Sequence, residues 1–551
     1  MNTAQAAAAP KQIVILGGGF AGVYTARYLE KLLRPTDAAI TLVNRENYWV
    51  YQPMLSEVIS GSLGLSSVVS PIRRLCPRTN LVTREIEDID LQNHVVTVSP
   101  GFRPRQLKLR YDYLVIALGN VTNFHGMPGM LENALPFKTL ADAMVLRNHV
   151  IRTLEEADVE EDPELRRKLL TFVVGGGGFS GVEVIAELND FVRAVKKNYL
   201  RIRDQPHRSV LVHSRDRILQ EMAEPLALFA QKTLRQRGVE IVLEDRLVAA
   251  TSEKAILKSG AEIPCKTIVC TVPSTLTPVI QNLHCAKEKG KLLTNTGLEL
   301  KDHEGRVWAL GDCAVVKTVS GKEAPPTAQH AIREAATAAT NIAAAIRGGA
   351  RAEFMFEGLG TLSSLGHGAA VAQILGVKLS GLLAWMLWRC IYLMKMPGLN
   401  RKTRIATDWM LRLLFPPDLA QTKLDPTSGI QKQHFQPGDV VFQQGDLGDS
   451  VYVIEQGQCE VWREENGERK LLATLNAGDY FGEMALLADQ SRNATIQACT
   501  AMSVLIIPKR DFDQLRQSVP AFGEIFRELA KRRTATAAEP RASASGTAIN
   551  P

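Results

Sequence analysis

A short apolar run at residues 13–16 leads into three closely spaced glycines, Gly17, Gly19 and Gly22. The uninterrupted apolar run predicts a strand buried on both faces, and the pattern that continues to about Leu33 predicts a helix. Gly17 suits a tight turn, Gly19 lets a pyrophosphate approach the backbone, and Gly22 permits close packing of helix on strand. Because the start of a helix favours an anion, this unit predicts a dinucleotide site.

The same pattern recurs about 160 residues later. A mainly apolar run at 170–174 precedes Gly176, Gly178 and Gly181, which repeat the spacing of the first unit. Glycine-rich turns also occur without ligands, so one unit is weak evidence and two are much more specific. The simplest chemistry that needs two dinucleotides in one chain is electron transfer between a nicotinamide and a flavin.

The residue that follows the second strand of each unit departs from the usual pattern. An acid normally bonds the ribose there, but the strand at 39–43 ends in Asn44 and the strand at 209–212 ends in His213. Asparagine can still bond a ribose hydroxyl. Arg215 is able to pair with a 2′-phosphate, which favours NADPH as well as NADH. The alternative is that His213 and Arg215 are merely solvated at a strand end.

Further strands and helices complete an alternating pattern. Strands are predicted at 80–87, 94–98, 111–117, 267–272 and 307–310, and helices at 134–168 and from 325 onwards. The strand at 111–117 ends in Ala117 and Gly119, and the last strand ends in Gly311 and Asp312, where a carboxylate suits a flavin ribityl chain. The aromatic loop at 47–55 suits a flat ring, although surface packing explains that loop equally well.

Composition places the chain among globular proteins, since 45% of its 551 residues are hydrophobic and 22% are charged. This length suggests about three or four domains. The net charge of +7 favours an anionic ligand or surface without requiring nucleic acid. The eight cysteines form no C-x-x-C and the ten histidines form no ligand-spaced cluster, so we expect reduced cytoplasmic thiols and no metal. The N-terminus lacks the pattern of a signal peptide.

Residues 11–415 resemble a type II NADH dehydrogenase, the single-chain NAD(P)H:quinone oxidoreductase that uses FAD. The resemblance is carried by both glycine loops and by residues 51–55, 117–119, 308–314 and 326–331. It implies an α/β fold with two Rossmann-like dinucleotide-binding domains. It also implies that hydride passes from NADH or NADPH to FAD, and that a membrane quinone receives the electrons.

The resemblance also implies site residues. The FAD contacts it implies are Gly17, Gly19, Phe20, Ala21, Gly22, Asn44, Arg45, Gln52, Ile86, Ala117, Gly119, Asp312, Ala328 and Gln329. The NAD(P)H contacts it implies are Gly176, Gly178, Phe179, Ser180, Gly181, Glu183, His213 and Arg215. Glu183, Gln329 and Arg333 are expected at the catalytic centre, with Glu183 near the nicotinamide and quinone and Gln329 in the quinone site. The alternative for Glu183 is an early helical acid favoured by the dipole.

Some residues depart from the family pattern. Arg333 replaces a second glutamine near the quinone, and Pro273 replaces a glycine that closes a turn, so the acceptor and the cofactor preference stay open. Disulfide reductases need a redox cysteine pair beside the flavin, and no cysteine precedes Cys76. A sulfide:quinone-type reductase remains the alternative enzyme. A cyclic-nucleotide-responsive scaffold with an inactive flavin core is the alternative from another class.

Residues 349–415 are expected to form a membrane-anchoring or dimerisation region. The apolar stretch at 379–394 contains Arg389 and is shorter than the about 20 residues of a span, so it predicts an interfacial segment. The following helix is expected to gather Ile405, Trp409, Met410, Leu413 and Leu414 on an apolar face and Arg404, Asp408 and Arg412 on another. Lys395, Arg401, Lys402 and Arg404 suit anionic lipid. Packing on the enzyme's own core or on a dimer partner is the alternative.

Short strands and glycine turns after residue 432 predict an all-β domain. Residues 433–530 resemble a cyclic nucleotide-binding domain. That resemblance places Glu483 on the ribose 2′-hydroxyl and Arg492 on the cyclic phosphate. The other implied contacts are Gly482, Met484, Ala485 and Asn493. We expect cAMP rather than cGMP, and the alternative is a degenerate barrel that serves only for contacts.

The predicted architecture is thus α/β with two Rossmann-like domains, an amphipathic helical anchoring region and an all-β barrel with flanking helices. The expected borders are 11–168 and 295–348 for the FAD domain, 169–294 for the NAD(P)H domain, 349–415 for the anchoring region, 416–432 for a linker, 433–533 for the cyclic nucleotide domain and 534–551 for a disordered tail. We expect a peripheral homodimer on the cytoplasmic face of the inner membrane. No DNA-reading helix follows the barrel, so no nucleic acid partner is expected.

Overall fold

The fold is described from a computed structural model. It describes residues 9–100, 107–124, 126–272, 274–421, 431–446, 448, 450–465, 468–488, 491–509 and 511–512. The chain forms two compact units. The first comprises residues 1–124, 135–246 and 267–421, and the second comprises 125–134, 247–266 and 422–551. Pro273, residues 422–430 of the expected linker, the end of the expected cyclic nucleotide domain at 513–533 and the expected tail at 534–551 lie outside the described residues.

The helices are α1 (Phe20–Leu32), α2 (Ser56–Ile59), α3 (Ile72–Leu75), α4 (Met130–Asn133), α5 (Leu140–Val159), α6 (Pro163–Leu169), α7 (Phe179–Val195), α8 (Glu224–Gln236), α9 (Pro278–Asn282), α10 (Ala328–Arg347), α11 (Leu382–Lys395), α12 (Leu399–Leu414) and α13 (Glu483–Ala488). Short 3-10 turns occur at Gln52–Met54, Lys196–Asn198 and Gly311–Cys313.

The strands up to residue 275 are β1 (Lys11–Leu16), β2 (Ala38–Asn44), β3 (Tyr48–Val50), β4 (Val69–Pro71), β5 (Asn80–Thr83), β6 (Ile86–Asp90), β7 (Val95–Val98), β8 (Leu107–Arg110), β9 (Tyr113–Ile116), β10 (Val121–Thr122), β11 (Leu135–Pro136), β12 (Thr171–Gly175), β13 (Arg208–Val212), β14 (Val239–Val242), β15 (Leu247–Ala250), β16 (Lys254–Leu257), β17 (Glu262–Pro264), β18 (Thr267–Cys270) and β19 (Ser274–Thr275).

The later strands are β20 (Lys287–Glu288), β21 (Lys291–Leu293), β22 (Val307–Ala309), β23 (Ala314–Val315), β24 (Gly360–Ser364), β25 (Ala370–Ile374), β26 (Val377–Gly381), β27 (Gln431–Phe435), β28 (Val440–Phe442), β29 (Ser450–Gln456), β30 (Cys459–Glu465), β31 (Glu468–Leu475), β32 (Tyr480–Phe481), β33 (Thr495–Ala498) and β34 (Met502–Pro508).

Two parallel five-stranded sheets form the framework of the first unit. The first sheet has the order β22-β9-β1-β2-β5, and the second has the order β11-β18-β12-β13-β14. Ile13 and Ile15 in β1 are fully buried, as are Val173 and Val174 in β12, which is why both strands read as continuous apolar runs. Each glycine loop follows a central strand, β1 or β12, at which the order of the strands in the sheet reverses. Ligands bind at such switch points of parallel sheets.

The segment after α10 forms a three-stranded antiparallel sheet, β24-β25-β26, followed by α11 and α12. The apolar face predicted for α12 is only partly solvent-facing. Ile405 is fully buried and Trp409 is 7% exposed, whereas Met410, Leu413 and Leu414 are exposed. Packing on the enzyme's own core, the alternative for this face, therefore describes Ile405 and Trp409, whose indole donates a hydrogen bond to buried Glu57.

The second unit contains a β-barrel made of two antiparallel four-stranded sheets, β27-β34-β29-β32 and β28-β33-β30-β31. Its core includes Phe435, Ile454, Phe481 and Met502, all nearly fully buried. The same unit also contains α4 and the three-stranded sheet β15-β16-β17. The expected domain borders, which place α4 and these strands in the dinucleotide-binding domains, stay a prediction.

Candidate functional site

The first glycine loop has the geometry of a phosphate cradle. Gly17 adopts a φ of +103°, and a Cβ there would lie 2.3 Å from the Ala117 carbonyl oxygen. A Cβ at Gly22 would lie 1.9 Å from the Gly17 carbonyl oxygen, so the helix can approach the strand only at a glycine. A Cβ at Gly19 would meet no protein atom within 4 Å. The space in front of α1 is therefore open.

The second glycine loop repeats this geometry. Gly176 has a φ of +111°, and a Cβ at Gly181 would lie 1.7 Å from the Gly176 carbonyl oxygen. A Cβ at Gly178 would again meet nothing within 4 Å. Both α1 and α7 begin without a side-chain cap and without an acid in the first turn. Uncapped N–H groups and the helix dipole suit a pyrophosphate, so both loops fit a dinucleotide.

The two residues that replace the ribose acids both brace their own loops. The Asn44 Oδ1 accepts a hydrogen bond from the Gly18 N–H at 2.8 Å, and the His213 Nδ1 accepts one from the Gly177 N–H at 3.0 Å. Sequence reasoning missed Gly18 and Gly177. A Cβ would lie 2.5 Å from Asn44 Cγ at the first and 2.6 Å from His213 Cγ at the second. The signal available in the sequence was the unbroken glycine run in each loop.

A cavity of about 730 Å³ opens beside the first glycine loop. It is lined by all of the expected FAD residues except Gly22 and Gln329, which lie outside its lining. Gly22 is buried behind the loop. The structure thus brings twelve of the fourteen expected FAD residues to one cavity, and the contacts themselves remain predictions. Three lining residues that sequence reasoning missed are Asn120, Lys138 and Thr277.

Asp312 is held in place at the wall of this cavity. The Asn120 Nδ2 donates a hydrogen bond to Asp312 Oδ2 at 3.1 Å. Lys138 lies close to Asp312, and burial lowers the pKa of Lys138 while that carboxylate opposes the shift. An oriented carboxylate with its charge partly balanced suits hydrogen bonds to ribityl hydroxyls.

Glu334 supports the turn that carries Asp312, and sequence reasoning did not assign it a role. Its Oε2 accepts a hydrogen bond from the Gly311 N–H at 2.7 Å, and the side chain is 2% exposed. Burial raises the pKa of Glu334 to about 7, while the Gly311 hydrogen bond opposes that shift. The contact spans 23 residues of sequence, and no local pattern points to it.

Gln329 and Arg333 lie together on the first turns of α10. The Gln329 side chain donates to the Gly360 carbonyl oxygen at 3.0 Å and accepts from the Leu359 N–H at 3.1 Å, so its amide holds the start of β24. Arg333 donates to the Gln329 carbonyl oxygen at 3.0 Å, and its guanidinium lies 4.0 Å from the centre of the Phe356 ring. The role of both residues in binding a quinone remains a prediction.

Glu183 lies in the second turn of α7, the helix that follows the second glycine loop, and is partly exposed. Its Oε1 accepts a hydrogen bond from the Ser364 N–H at 3.1 Å. Burial of the carboxyl raises the pKa of Glu183 to about 8, with the Ser364 bond opposing the shift. Tyr392 of α11 lies near enough for the Glu183 charge to raise its pKa further, after burial as the main cause. Glu183 therefore connects the dinucleotide loop with the C-terminal sheet and α11.

The predicted phosphate pocket of the barrel is built around a buried arginine. Arg492 is 4% exposed, donates to the Gly482 and Ser450 carbonyl oxygens at 2.6 and 2.9 Å, and lies 4.2 Å above the Phe442 ring. Glu483, at the start of α13, is 2% exposed. Met484 is partly buried and Asn493 is exposed, while the side chain of Ala485 lies outside the described residues. A buried guanidinium beside a glycine with a φ of +89° fits one phosphate.

Two buried cysteines of the first unit, Cys313 and Cys76, have poorly reactive thiols. All eight are free, and Cys313, which adjoins Asp312, is fully buried. Burial raises the pKa of Cys313 to about 11 and that of Cys76 to about 12. Thiols with raised pKa values and no solvent access are poor nucleophiles. This environment argues against disulfide or persulfide chemistry at these two positions.

Comparison with known proteins assigns the chain to a family. The chain belongs to the pyridine nucleotide-disulphide oxidoreductase family, whose model matches residues 11–335. An NDH2 C-terminal domain matches residues 359–418, and a cyclic nucleotide-binding domain matches residues 432–519. These matches confirm the predicted relationship to type II NADH dehydrogenases and the predicted identity of the C-terminal domain.

Individual relatives agree with this assignment. The chain is 30% identical over 411 residues to the demethylphylloquinone reductase NdbB of Synechocystis, covering 73% of this chain and 96% of the relative. It is 26% identical over 380 residues to a type II NADH:quinone oxidoreductase of Staphylococcus epidermidis, covering 67% of this chain and 91% of that protein. A structure of NDH2 from Plasmodium falciparum with NADH superposes with a TM-score of 0.69 at 18% identity, covering 74% and 99% of the two chains.

Proposed function

We propose that this chain oxidises NADH or NADPH, uses bound FAD, and reduces a quinone at a membrane surface. The observation that carries the proposal is the repeated cradle, in which two helices of one compact unit begin at uncapped glycines that face open space. Each cradle suits one pyrophosphate, so the unit is built for two dinucleotides. Relatives named as reductases of demethylphylloquinone and of quinone support a quinone as the acceptor.

The residues around the cavity position the reactants. FAD, when bound, accepts a hydride from the nicotinamide and passes two electrons to the acceptor. Asp312, oriented by Asn120, would hold the ribityl hydroxyls of a bound flavin, and the N-terminus of α10 at Ala328 would supply a dipole that favours negative charge. Glu183 stands on the nicotinamide side and holds an exchangeable proton near neutral pH.

Both NADH and NADPH are accepted as donors in this proposal. His213 stands where an acid would repel a 2′-phosphate, and its ring braces the Gly177 N–H instead. Arg215 follows two residues later and is exposed, so its guanidinium is available to a phosphate. We therefore expect NADPH to be used at a rate comparable with that of NADH.

The membrane contact is assigned to one apolar surface. Exposed leucines and methionines project from α11 and α12: Leu382, Leu383, Met386, Met394, Leu399, Met410, Leu411, Leu413 and Leu414. No helix in the described part of the chain is both long and apolar enough to cross a bilayer. Lys395 and Lys402 lie among these residues and suit anionic headgroups on the cytoplasmic face of the inner membrane. If the purified chain remained a dimer in the absence of lipid, part of this surface would be assigned to contact with a second copy of the chain.

The barrel is proposed to bind a cyclic nucleotide, cAMP rather than cGMP. Arg492 supplies one charge for the cyclic phosphate and Glu483 one carboxylate for the ribose hydroxyl. To pair with the cyclic phosphate, the Arg492 guanidinium must exchange its hydrogen bonds to the Gly482 and Ser450 carbonyl oxygens for bonds to the phosphate. Regulation follows only if the ligand prefers one of two states of the enzyme.

The proposal is tested by flavin content and donor use. Purified chain should carry one FAD, and NADH and NADPH should each support reduction of a soluble quinone analogue. Absence of flavin would favour the scaffold alternative. A chain that carries FAD but reduces quinone only with sulfide would be a sulfide:quinone-type reductase instead.

A further inference from the structure

Both ends of one segment of the chain lie at the Asp312 carboxylate. At the first end, the Asn120 Nδ2 donates a hydrogen bond to Asp312 Oδ2 at 3.1 Å. At the other end, Lys138 lies close to the same carboxylate, and all three side chains line the flavin cavity. We call the residues from one contact to the other, 120–124 and 126–138, the connector. Because Asp312 is expected to hold the ribityl chain, the connector begins and ends at the flavin site.

The two ends of the connector are fixed to strands of the first unit. Asn120 precedes β10, which pairs antiparallel with β19. Lys138 follows β11, which pairs parallel with β18, and its N–H donates to Asp142 Oδ2 at 2.9 Å where α5 begins. A displacement of β10 or β11 would therefore move Asn120 or Lys138 relative to Asp312.

The middle of the connector belongs to the second unit, together with the barrel. It contains α4, which packs on β15 and on β27 of the barrel. The chain enters α4 at Gly129, whose φ is +67°. A Cβ at Gly129 would lie 1.9 Å from the Ala250 carbonyl oxygen and 3.1 Å from the His434 ring. The backbone at Gly129 is thus held between β15 and β27, and the barrel contacts the connector through His434.

One barrel sheet carries both the His434 contact and the expected phosphate site. His434 in β27 pairs with Ser503 in β34, and β34 also pairs with β29, which begins at Ser450. Arg492 donates to the Ser450 carbonyl oxygen at 2.9 Å. A cyclic phosphate that binds the Arg492 guanidinium would withdraw this donor from β29. The change would occur two strands away from His434, in the same hydrogen-bonded sheet.

We propose that the connector transmits cyclic nucleotide binding from the barrel to the flavin site. This coupling rests on the proposed function and specifies how its regulatory domain acts. Binding gives Arg492 a new partner, shifts β27 and α4, and displaces the ends of the connector from Asp312. Because Asp312 is then oriented less firmly, cAMP weakens the binding of FAD. By linkage, bound FAD weakens the binding of cAMP by the same factor.

The test measures release of FAD from the full-length holoenzyme after dilution, followed by the rise in flavin fluorescence, with and without cAMP. His434→Ala removes the ring that contacts the connector. Lys138→Met removes the charge at the flavin end and keeps a long side chain. His284→Ala, which changes an exposed histidine of the first unit, is the matched control. Calorimetry with cAMP on the same samples shows whether each barrel still binds its ligand.

In the parent chain, cAMP should speed FAD release by about 5-fold or more, the lower end of typical coupling between two sites. In His434→Ala and Lys138→Met, the rates with and without cAMP should agree within about twofold although both variants bind cAMP, because the coupling is lost. Lys138→Met should also release FAD faster without cAMP, so the ratio of the two rates is the readout. His284→Ala should match the parent chain.

Two results would overturn the coupling through the connector. One is a parent holoenzyme that binds cAMP but releases FAD at an unchanged or slower rate. The other is a cAMP effect in His434→Ala and Lys138→Met as large as in the parent, since the coupling would then use another route. A parent chain that binds no cAMP would overturn both the proposed ligand and the coupling. A flavin that NADH does not bleach would count against the proposed enzyme activity alone, because the release ratio still tests the connector.

Discussion

Alanine at Gly181 or at Gly178 of the second loop should impair the use of NAD(P)H, but only the change at Gly181 should lower stability. A methyl group at Gly181 would lie 1.7 Å from the Gly176 carbonyl oxygen, whereas real Cβ contacts essentially never fall below 3.0 Å. The backbone must therefore move by about 1.3 Å, because the backbone fixes the position of the methyl group and the atom it meets is a main-chain oxygen. Such overpacking typically costs about 1–3 kcal/mol of stability.

Gly178 is the matched control, because a methyl group there meets no protein atom within 4 Å and the backbone has an ordinary φ of −76°. Replacing glycine stabilises by about 0.4–1 kcal/mol through the unfolded state, and the poorer helix cap offsets most of that gain. We expect the free energy of unfolding to stay within about 0.5 kcal/mol of the parent. The methyl group would occupy the space assigned to the pyrophosphate.

The assay is the NADH concentration dependence of flavin bleaching, together with a urea unfolding midpoint. Both variants should lose about 10-fold or more in kcat/KM for NADH, since displacement or blockage of a positioning loop by about 1 Å is enough for such a loss. Both should keep their FAD. Normal use of NADH by Gly178→Ala would refute the assignment of this loop to the nicotinamide dinucleotide. Parental stability of Gly181→Ala would refute the packing argument.

Three further changes test other parts of the molecule. Arg492→Ala should abolish cAMP binding measured by calorimetry while quinone reduction without cAMP persists, and retained affinity would exclude this pocket. Glu334→Gln keeps an acceptor for Gly311 but removes a carboxyl whose pKa is raised from 4.5 to about 7. Because the folded state then binds the extra proton, the parent loses stability as pH rises from about 4.5 to 7, by up to about 3 kcal/mol. Unfolding midpoints of Glu334→Gln should therefore exceed those of the parent at pH 8 but not at pH 4.5, and equal midpoints at pH 8 would contradict this cause. A double change of Leu413 and Leu414 to Glu should release the enzyme from anionic liposomes without affecting reduction of a soluble quinone, and unchanged liposome binding would contradict the assigned surface.

Much of the fold was predictable because its signals are local. The two apolar runs and the glycines after them specify strand, turn and helix within about 20 residues, and both loops occur as expected. Spacing alone also indicated that Gly17 and Gly22 permit the turn and the packing, and the structure supplies the carbonyl contacts behind each. The short strands of the barrel likewise followed from glycine turns.

The partners that connect distant segments were not predictable. Trp409 is 352 residues from Glu57, and their hydrogen bond decides which side of α12 faces inwards. A helical pattern in sequence shows an apolar face but does not show what covers it, so the sequence left both the membrane and the enzyme's own core open for Ile405 and Trp409. The bond of Asn44 to the Gly18 N–H was likewise not predictable, because it forms only once strand and loop meet, and the expected contact of Asn44 with a ribose stays a prediction.

The most direct test of the central claim is a two-step anaerobic titration of the purified chain. We expect the flavin absorbance to bleach fully on addition of one equivalent of NADH and to return on addition of one equivalent of a soluble quinone. Bleaching without recovery would show that the reduced flavin does not pass its electrons to the quinone. A flavin that neither NADH nor NADPH bleaches would contradict the claim that the two glycine loops bring two dinucleotides together for electron transfer.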